Sequence, residues 1–111
     1  MKTLLTMAIL TLASLAVQAQ STTNHCAAYE GKERYLKAIE VVAKNHDMTL
    51  DQLCQAQKYL GIEAQPSRKI TREGEVIPHV AVQLHRYSSS CLYMIRDSDL
   101  SLTDGRCYSG E

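Results

Sequence analysis

Two histidines in the second half of the chain are the side chains best suited to acid–base chemistry. His79 and His85 fall on the same side of a predicted strand. The polar side chains beside them, on that strand or on its predicted neighbour, are Gln83, Tyr87 and Lys69. Two imidazoles and a lysine could cleave RNA by general acid–base catalysis. Six residues of strand span about 20 Å, too far to hold one phosphate, so histidines on the wet face of a sheet are the simpler interpretation.

No motif in the sequence points to a metal or a cofactor. His25 adjoins Cys26, but no second histidine or cysteine follows at a spacing typical of zinc sites. Asp97, Asp99 and Asp104 include alternate acids, as a calcium loop does, but the glycine and the glutamate of such a loop are misplaced. A phosphate loop, a dinucleotide fingerprint and a Gly-x-Ser-x-Gly motif are absent from the sequence. We therefore predict neither a metal nor a cofactor.

The four cysteines indicate two disulfides, because an even number in a small exported domain is typical of a disulfide framework. They are Cys26, Cys54, Cys91 and Cys107. The favoured pairing joins helices to sheet, Cys54 with Cys91 and Cys26 with Cys107. In a tight helix pair Cys26 and Cys54 would lie about 15–20 Å apart, beyond the reach of a bridge. Pairing Cys26 with Cys54 requires the first helix to begin late, after Gly31.

The first nineteen residues are typical of an export signal. Lys2 supplies a positive start, residues 4–17 are apolar, and Val17 and Ala19 form a small-x-small cleavage site. The apolar run falls short of the about 20 residues that span a membrane. We expect cleavage after Ala19, a secreted or periplasmic mature chain and no membrane anchor; a retained signal anchor is the alternative.

Composition argues against nucleic acid as a partner. Twelve basic and twelve acidic residues give a formal net charge of zero, with both signs interspersed and no basic run. Residues 20–111 are too few for two cores and are expected to form one small domain. Phe and Trp are absent, so six tyrosines provide all the aromatic surface.

Hydrophobic periodicity predicts two helices in the first half of the chain. Over residues 27–46, charged side chains recur every three or four positions opposite an apolar side that includes Ile39. The second helix is expected over residues 49–60. Thr49 and Gln52 have the spacing of a capping box, and Gly61 suits the left-handed position after the helix end.

After Pro66 the pattern changes to the two-residue period of strands, which we place within residues 67–108. In the second strand, over residues 79–87, the apolar side consists of Val80, Val82 and Leu84. The fold class is therefore α+β. We expect an N-terminal helical hairpin packed on a small antiparallel β-sheet of three to four strands, stapled by disulfides.

Two turn signals set the expected strand pairing. A tight turn at Ser88 and Ser89 places Leu84 opposite Tyr93, which unites the apolar sides of two strands. The dipeptide at residues 104–105, Asp followed by Gly, predicts a hairpin between two short final strands.

A stretch of the first half resembles helical periplasmic immunity proteins of type VI secretion. The matching residues are 26–31, a following helix, and 49–53 with Tyr59, Leu60 and Pro66. The resemblance implies an exported protein that neutralises a partner. It covers less than half of the chain, and the predicted hairpin within residues 91–108 departs from an all-helical family, so it assigns no family.

The leading hypothesis is a small, exported, non-enzymatic module that binds another protein, of an inhibitor or immunity type. Tyr87, Tyr93 and Tyr108 are the candidate anchors, provided that they are exposed together. Loops at residues 88–90 and 97–100 are candidate contact surfaces. Two alternatives stay open: a small secreted hydrolase that uses His79 or His85, and a structural component of the cell envelope.

Overall fold

The computed structural model describes residues 23–109, and the predicted signal sequence lies outside them. One 3₁₀ turn precedes two helices and four strands. The elements are the turn Ala27–Tyr29, α1 (Glu33–Asn45), α2 (Leu50–Cys54), β1 (Gly61–Ile70), β2 (Val76–His85), β3 (Ser89–Arg96) and β4 (Leu102–Ser109). The strands form one antiparallel sheet in the order β1-β2-β3-β4. Helix α1 packs on one side, here called the inner face, and the opposite side is the outer face. The predicted α+β class is confirmed.

Helix α1 buries an apolar stripe against the sheet. Its buried residues recur at helical spacing and are Ala38, Ile39, Val42 and Ala43. The helix begins at Glu33, six residues later than predicted, because Gly31 takes a left-handed conformation with φ 77°. Residues 27–29 instead form the separate 3₁₀ turn.

Helix α2 has the predicted start but not the predicted length. The Gln52 N–H donates to Thr49 Oγ1 at 3.2 Å and the Thr49 N–H donates to Gln52 Oε1 at 2.9 Å, which completes the capping box. The helix ends at Cys54, whose carbonyl accepts a 2.8 Å bond from the His25 N–H. The predicted helical hairpin is therefore wrong in its second arm, which is a helix of only five residues.

Strand β1 begins at Gly61, where the sequence pattern predicted a helix end. Gly61 pairs with His85, and the strand starts six residues earlier than expected. Its free edge is partly covered, because the Ala64 N–H donates to the Tyr29 hydroxyl at 2.7 Å. Pro66, two residues on, has no N–H to offer a further strand.

The pairing of β2 with β3 differs from the predicted register by two residues. Val82 lies opposite Tyr93 and Val80 opposite Ile95, whereas Leu84 pairs with Cys91. A shift of two preserves the faces of a strand, so the apolar residues still share the inner face. Val80, Val82 and Leu84 are all buried, as predicted.

The hairpin predicted at Asp104 and Gly105 is wrong, because strand β4 continues through both residues. Asp104 and Gly105 pair with Met94 and Tyr93 in mid-strand. A Cβ on Gly105 would lie 3.0 Å from Tyr93 Cδ1, so glycine here admits the ring of the neighbouring strand. Glycine at this position allows Tyr93 to pack closely against the backbone of β4 and does not form a turn.

The disulfides join Cys26 to Cys54 and Cys91 to Cys107, with Cα–Cα distances of 5.3 and 4.0 Å. The favoured pairing of helix to sheet is therefore wrong. The late start of α1 after Gly31 is the condition that the alternative pairing required, because it lets the preceding turn bring Cys26 back to α2. Two native disulfides are typical of proteins in oxidising compartments.

The core lies between α1, α2 and the inner face of the sheet. Its largest fully buried apolar side chains are Ile39, Leu53, Leu84 and Ile95. Within residues 23–109, no helix combines the length and the apolar character that crossing a bilayer demands.

Candidate functional site

The outer face of the sheet holds both candidate histidines, but the structure gives them different surroundings. His79 is only 1% exposed. Its Nδ1 lies 2.9 Å from the Ile77 carbonyl oxygen and its Nε2 lies 2.9 Å from Thr103 Oγ1. Because a carbonyl only accepts, Nδ1 carries the proton. The Thr103 hydroxyl that is bonded to Nε2 also lies 3.3 Å from the Met94 carbonyl oxygen, to which it can donate. Lys69 Nζ donates to the Thr103 carbonyl at 3.3 Å, so the predicted lysine does lie near this histidine.

A buried imidazole with both nitrogens bonded has no free atom to present to a substrate. His79 therefore links β2 to the start of β4 as a structural group. His79 is therefore unsuited to the hydrolase alternative, which leaves His85 as its candidate.

His85 takes part in an open chain of three side chains. Its Nδ1 lies 3.1 Å from Ser90 Oγ and its Nε2 lies 3.1 Å from Glu63 Oε1. An ionised carboxylate only accepts, so Nε2 donates to Glu63 and Nδ1 accepts from the Ser90 hydroxyl. The His85 side chain is 31% exposed and the Glu63 side chain is 65% exposed. We call these three residues the Ser–His–Glu chain.

Sequence reasoning identified His85 but missed both of its partners. Ser90 lies directly opposite His85 on β3, and Glu63 lies on β1, diagonally across from His85. The serine was visible as the residue five positions on, across a predicted turn. No sequence signal indicates Glu63, because it meets His85 only through the pairing of β1 with β2.

Two of the three candidate tyrosines lie together at one end of the sheet. Tyr87 is 93% exposed in the loop between β2 and β3, and Tyr108 is 51% exposed on β4. They border a groove of about 240 Å³, here called the tyrosine groove. Its lining residues are Arg86, Tyr87, Ser88, Ser89, Ser90, Tyr108 and Ser109.

The Cys91–Cys107 disulfide adjoins the tyrosine groove. Cys91 and Cys107 are a directly opposed pair, and the next pair along is Ser90 with Tyr108. The cross-link therefore holds the strand ends that present Ser90 and Tyr108 at a fixed spacing.

Tyr93 does not belong to this surface, so the condition that all three tyrosines are exposed together is not met. It lies on the inner face with 6% exposure, and its hydroxyl is 2.8 Å from His46 Nε2. The two rings meet edge to face with centroids 5.7 Å apart. Burial raises the pKa of Tyr93, and burial followed by the charge of Lys58 lowers the pKa of His46.

The second candidate loop, residues 97–100, is hydrogen-bonded to helix α1. The Arg34 guanidinium donates to both carboxylate oxygens of Asp97, at 2.7 and 3.3 Å. Hydrogen bonds from Ser101 lower the pKa of Asp99, with the nearby Arg96 adding to the effect. These carboxylates already have partners within the chain, so this loop offers fewer free groups than the tyrosine groove.

A larger groove, of about 640 Å³, runs between Asn45 and β4. Its charged lining residues, Asp104 and Arg106, pair with each other at 3.0 Å. No group of three or more histidine, cysteine or acidic side chains within residues 23–109 is arranged to hold a metal ion.

No protein-family model matches the sequence, and searches of curated proteins and of solved structures also find no match.

Proposed function

We propose that the chain is a small exported module that binds another protein through the tyrosine groove, as an inhibitor or immunity protein does. The observation that carries this proposal is the 93% exposure of Tyr87 beside the half-exposed Tyr108. Tyrosine and arginine are enriched among residues that dominate binding energy at protein interfaces. Arg86, which lines the same groove, adds a charged group to the two rings.

The rigidity of the groove supports the same proposal. Tyr108 sits one residue from the Cys91–Cys107 disulfide, and the loop carrying Tyr87 is closed by a 2.8 Å bond from the Arg86 N–H to the Ser89 carbonyl. Groups that are held in place before binding lose less conformational freedom when a partner docks.

The proposed location is the periplasm or the extracellular medium. Two disulfides within a domain of this size suit an oxidising compartment. The predicted export signal over residues 1–19 directs the chain to that compartment.

The proposal is tested by affinity capture with the oxidised chain of residues 20–111, followed by binding measurements with the purified partner. We expect the double variant Tyr87→Ala, Tyr108→Ala to weaken binding by about 30-fold, corresponding to about 2 kcal/mol. Ile70→Ala is the matched control, because Ile70 is 61% exposed but lies at the far end of β1.

Equal affinities for the double variant and the wild type would refute the tyrosine groove as the binding surface. Retention on purified cell wall, with no protein partner, would instead favour a structural role in the envelope.

A further inference from the structure

We propose that Ser90, His85 and Glu63 form a nucleophile, base and carboxylate relay through which Ser90 accepts an acyl group from an activated ester. This inference goes beyond protein binding and does not rest on it. The three residues come from three adjacent strands, β3, β2 and β1.

The first support is the direction of the hydrogen bonds. Glu63 can only accept, which places the imidazole proton on Nε2 and leaves the lone pair of Nδ1 facing Ser90. The hydroxyl then donates to Nδ1 across 3.1 Å, within reach for proton transfer. This is the arrangement that activates a serine through an adjacent base, with the base itself oriented by a third group.

The second support is the way the sheet positions the three groups. His85 is held from one side by Ser90 and from the other by Glu63, at the end of the paired region of β2. The roles of the two ring nitrogens are exchanged relative to the Ser–His–Asp triads of proteases. The order of groups is the same, with a hydroxyl, an imidazole and a carboxylate joined by hydrogen bonds.

The third support is access. Ser90 is half-buried and lines the tyrosine groove, whereas His79 is almost completely buried. Arg86 lines the groove as well, and within residues 23–109 its guanidinium belongs to none of the ion pairs. A positive charge at this groove stabilises the oxygen that becomes negative when a carbonyl is attacked.

The chemical step balances without an oxidant or a reductant. Ser90 Oγ bonds to the carbonyl carbon of the ester while His85 Nδ1 takes the hydroxyl proton. The bond from that carbon to the leaving alcohol then breaks, and His85 returns the proton to the alcohol oxygen. Water repeats the sequence on the acyl-serine and releases a carboxylic acid.

The experiment incubates the oxidised chain of residues 20–111 with p-nitrophenyl acetate and follows both nitrophenol release and protein mass. We expect one acetyl group, located on Ser90 by peptide mapping. Ser90→Ala abolishes it, and His85→Gln slows acylation by about 100-fold. Glu63→Gln slows it by about tenfold, since solvent screens a carboxylate that is 65% exposed.

Ser98→Ala is the matched control, because Ser98 is an exposed hydroxyl at the opposite end of β3 from the tyrosine groove, and it should keep the wild-type rate. Glu63 lies on the surface, and glutamine keeps the shape of its side chain. We therefore expect Glu63→Gln to stay folded, so its slower acylation reports the loss of the carboxylate charge. The proposal is overturned if the wild type gains no acetyl group on Ser90 and releases nitrophenol no faster than Ser90→Ala. It is also overturned if Ser90→Ala gains the acetyl group all the same, or if Ser88 is labelled equally.

Discussion

His79 and His85 lie on one strand and one face, and both bond to a hydroxyl, yet they have opposite surroundings. His79 bonds to Thr103 and a carbonyl and is 1% exposed. His85 bonds to Ser90 and a carboxylate, and its side chain is 31% exposed. The histidine at one end of β2 is therefore structural, whereas the histidine at the other end is available for chemistry.

The difference comes from what crosses the outer face at each end. At the His79 end, the start of β4 brings Thr103 over the histidine, and Lys69 reaches the same threonine. The Asp97 N–H donates to the Pro78 carbonyl at 3.1 Å, which holds the connection between β3 and β4 against β2. At the His85 end, the face opens onto the tyrosine groove. The alternation of a strand therefore predicts which residues share a face, but the path of the rest of the chain decides whether water reaches that face.

Removing each imidazole in turn tests whether the two histidines have separate roles. We expect His79→Ala to lower the free energy of unfolding by about 3 kcal/mol, because it leaves a cavity and two unpaired groups. His85→Ala should change it by less than about 0.5 kcal/mol, as is usual for exposed polar positions. Urea unfolding of both oxidised variants measures the difference, and equal losses would contradict the assignment of separate roles.

A smaller effect is expected from the two hydroxyl partners. Thr103→Val keeps the shape but removes the hydroxyl that bonds to His79 Nε2 and to the Met94 carbonyl, which should cost about 1 to 2 kcal/mol of stability. Ser90→Ala removes the hydroxyl that bonds to His85, where water replaces it, and should cost less than about 0.5 kcal/mol. Thermal unfolding of the pair checks this; a larger loss in Ser90→Ala would make the Ser–His–Glu chain a structural network.

The smallest expected effect extends the comparison to His46, on the inner face. Burial lowers the pKa of His46, so below about pH 6.5 the unfolded chain binds more protons than the folded one. Its contribution to stability is complete above that pH and is lost as pH falls toward the pKa of the folded state. Unfolding free energies measured between pH 7 and pH 5, about the range in which histidine titrates, should therefore decline, and less so in His46→Asn.

Tyr93→Phe is the control for this prediction, because it keeps the ring that covers His46 and removes only the hydroxyl. It should retain the decline toward acid. If the decline vanished in Tyr93→Phe, the hydrogen bond rather than burial would set the pKa of His46.

Local patterns predicted much of the fold. The capping box of Thr49 and Gln52 and the alternation of Val80, Val82 and Leu84 depend on residues close in sequence, and both are present. The end of α2 and the position of Gly105 were predicted wrongly, since a long-range bond to Cys54 and the ring of Tyr93 override the local preference.

The candidate site was less predictable than the fold. Tyr87 and Tyr108 were named from the sequence and lie together. Tyr93 was named with them although the alternation of its strand already placed it on the apolar side, where it is buried against His46. Glu63 joins His85 through strand pairing alone, and no spacing in the sequence could reveal it.

The apolar side of each element follows from local sequence, because the periods of helix and strand are properties of the local backbone. The disulfide pairing, the strand register and the burial of one histidine but not the other do not follow from local sequence. Each of those depends on contacts between residues far apart in the chain. Their relative free energies are set by how the whole domain packs rather than by any local pattern.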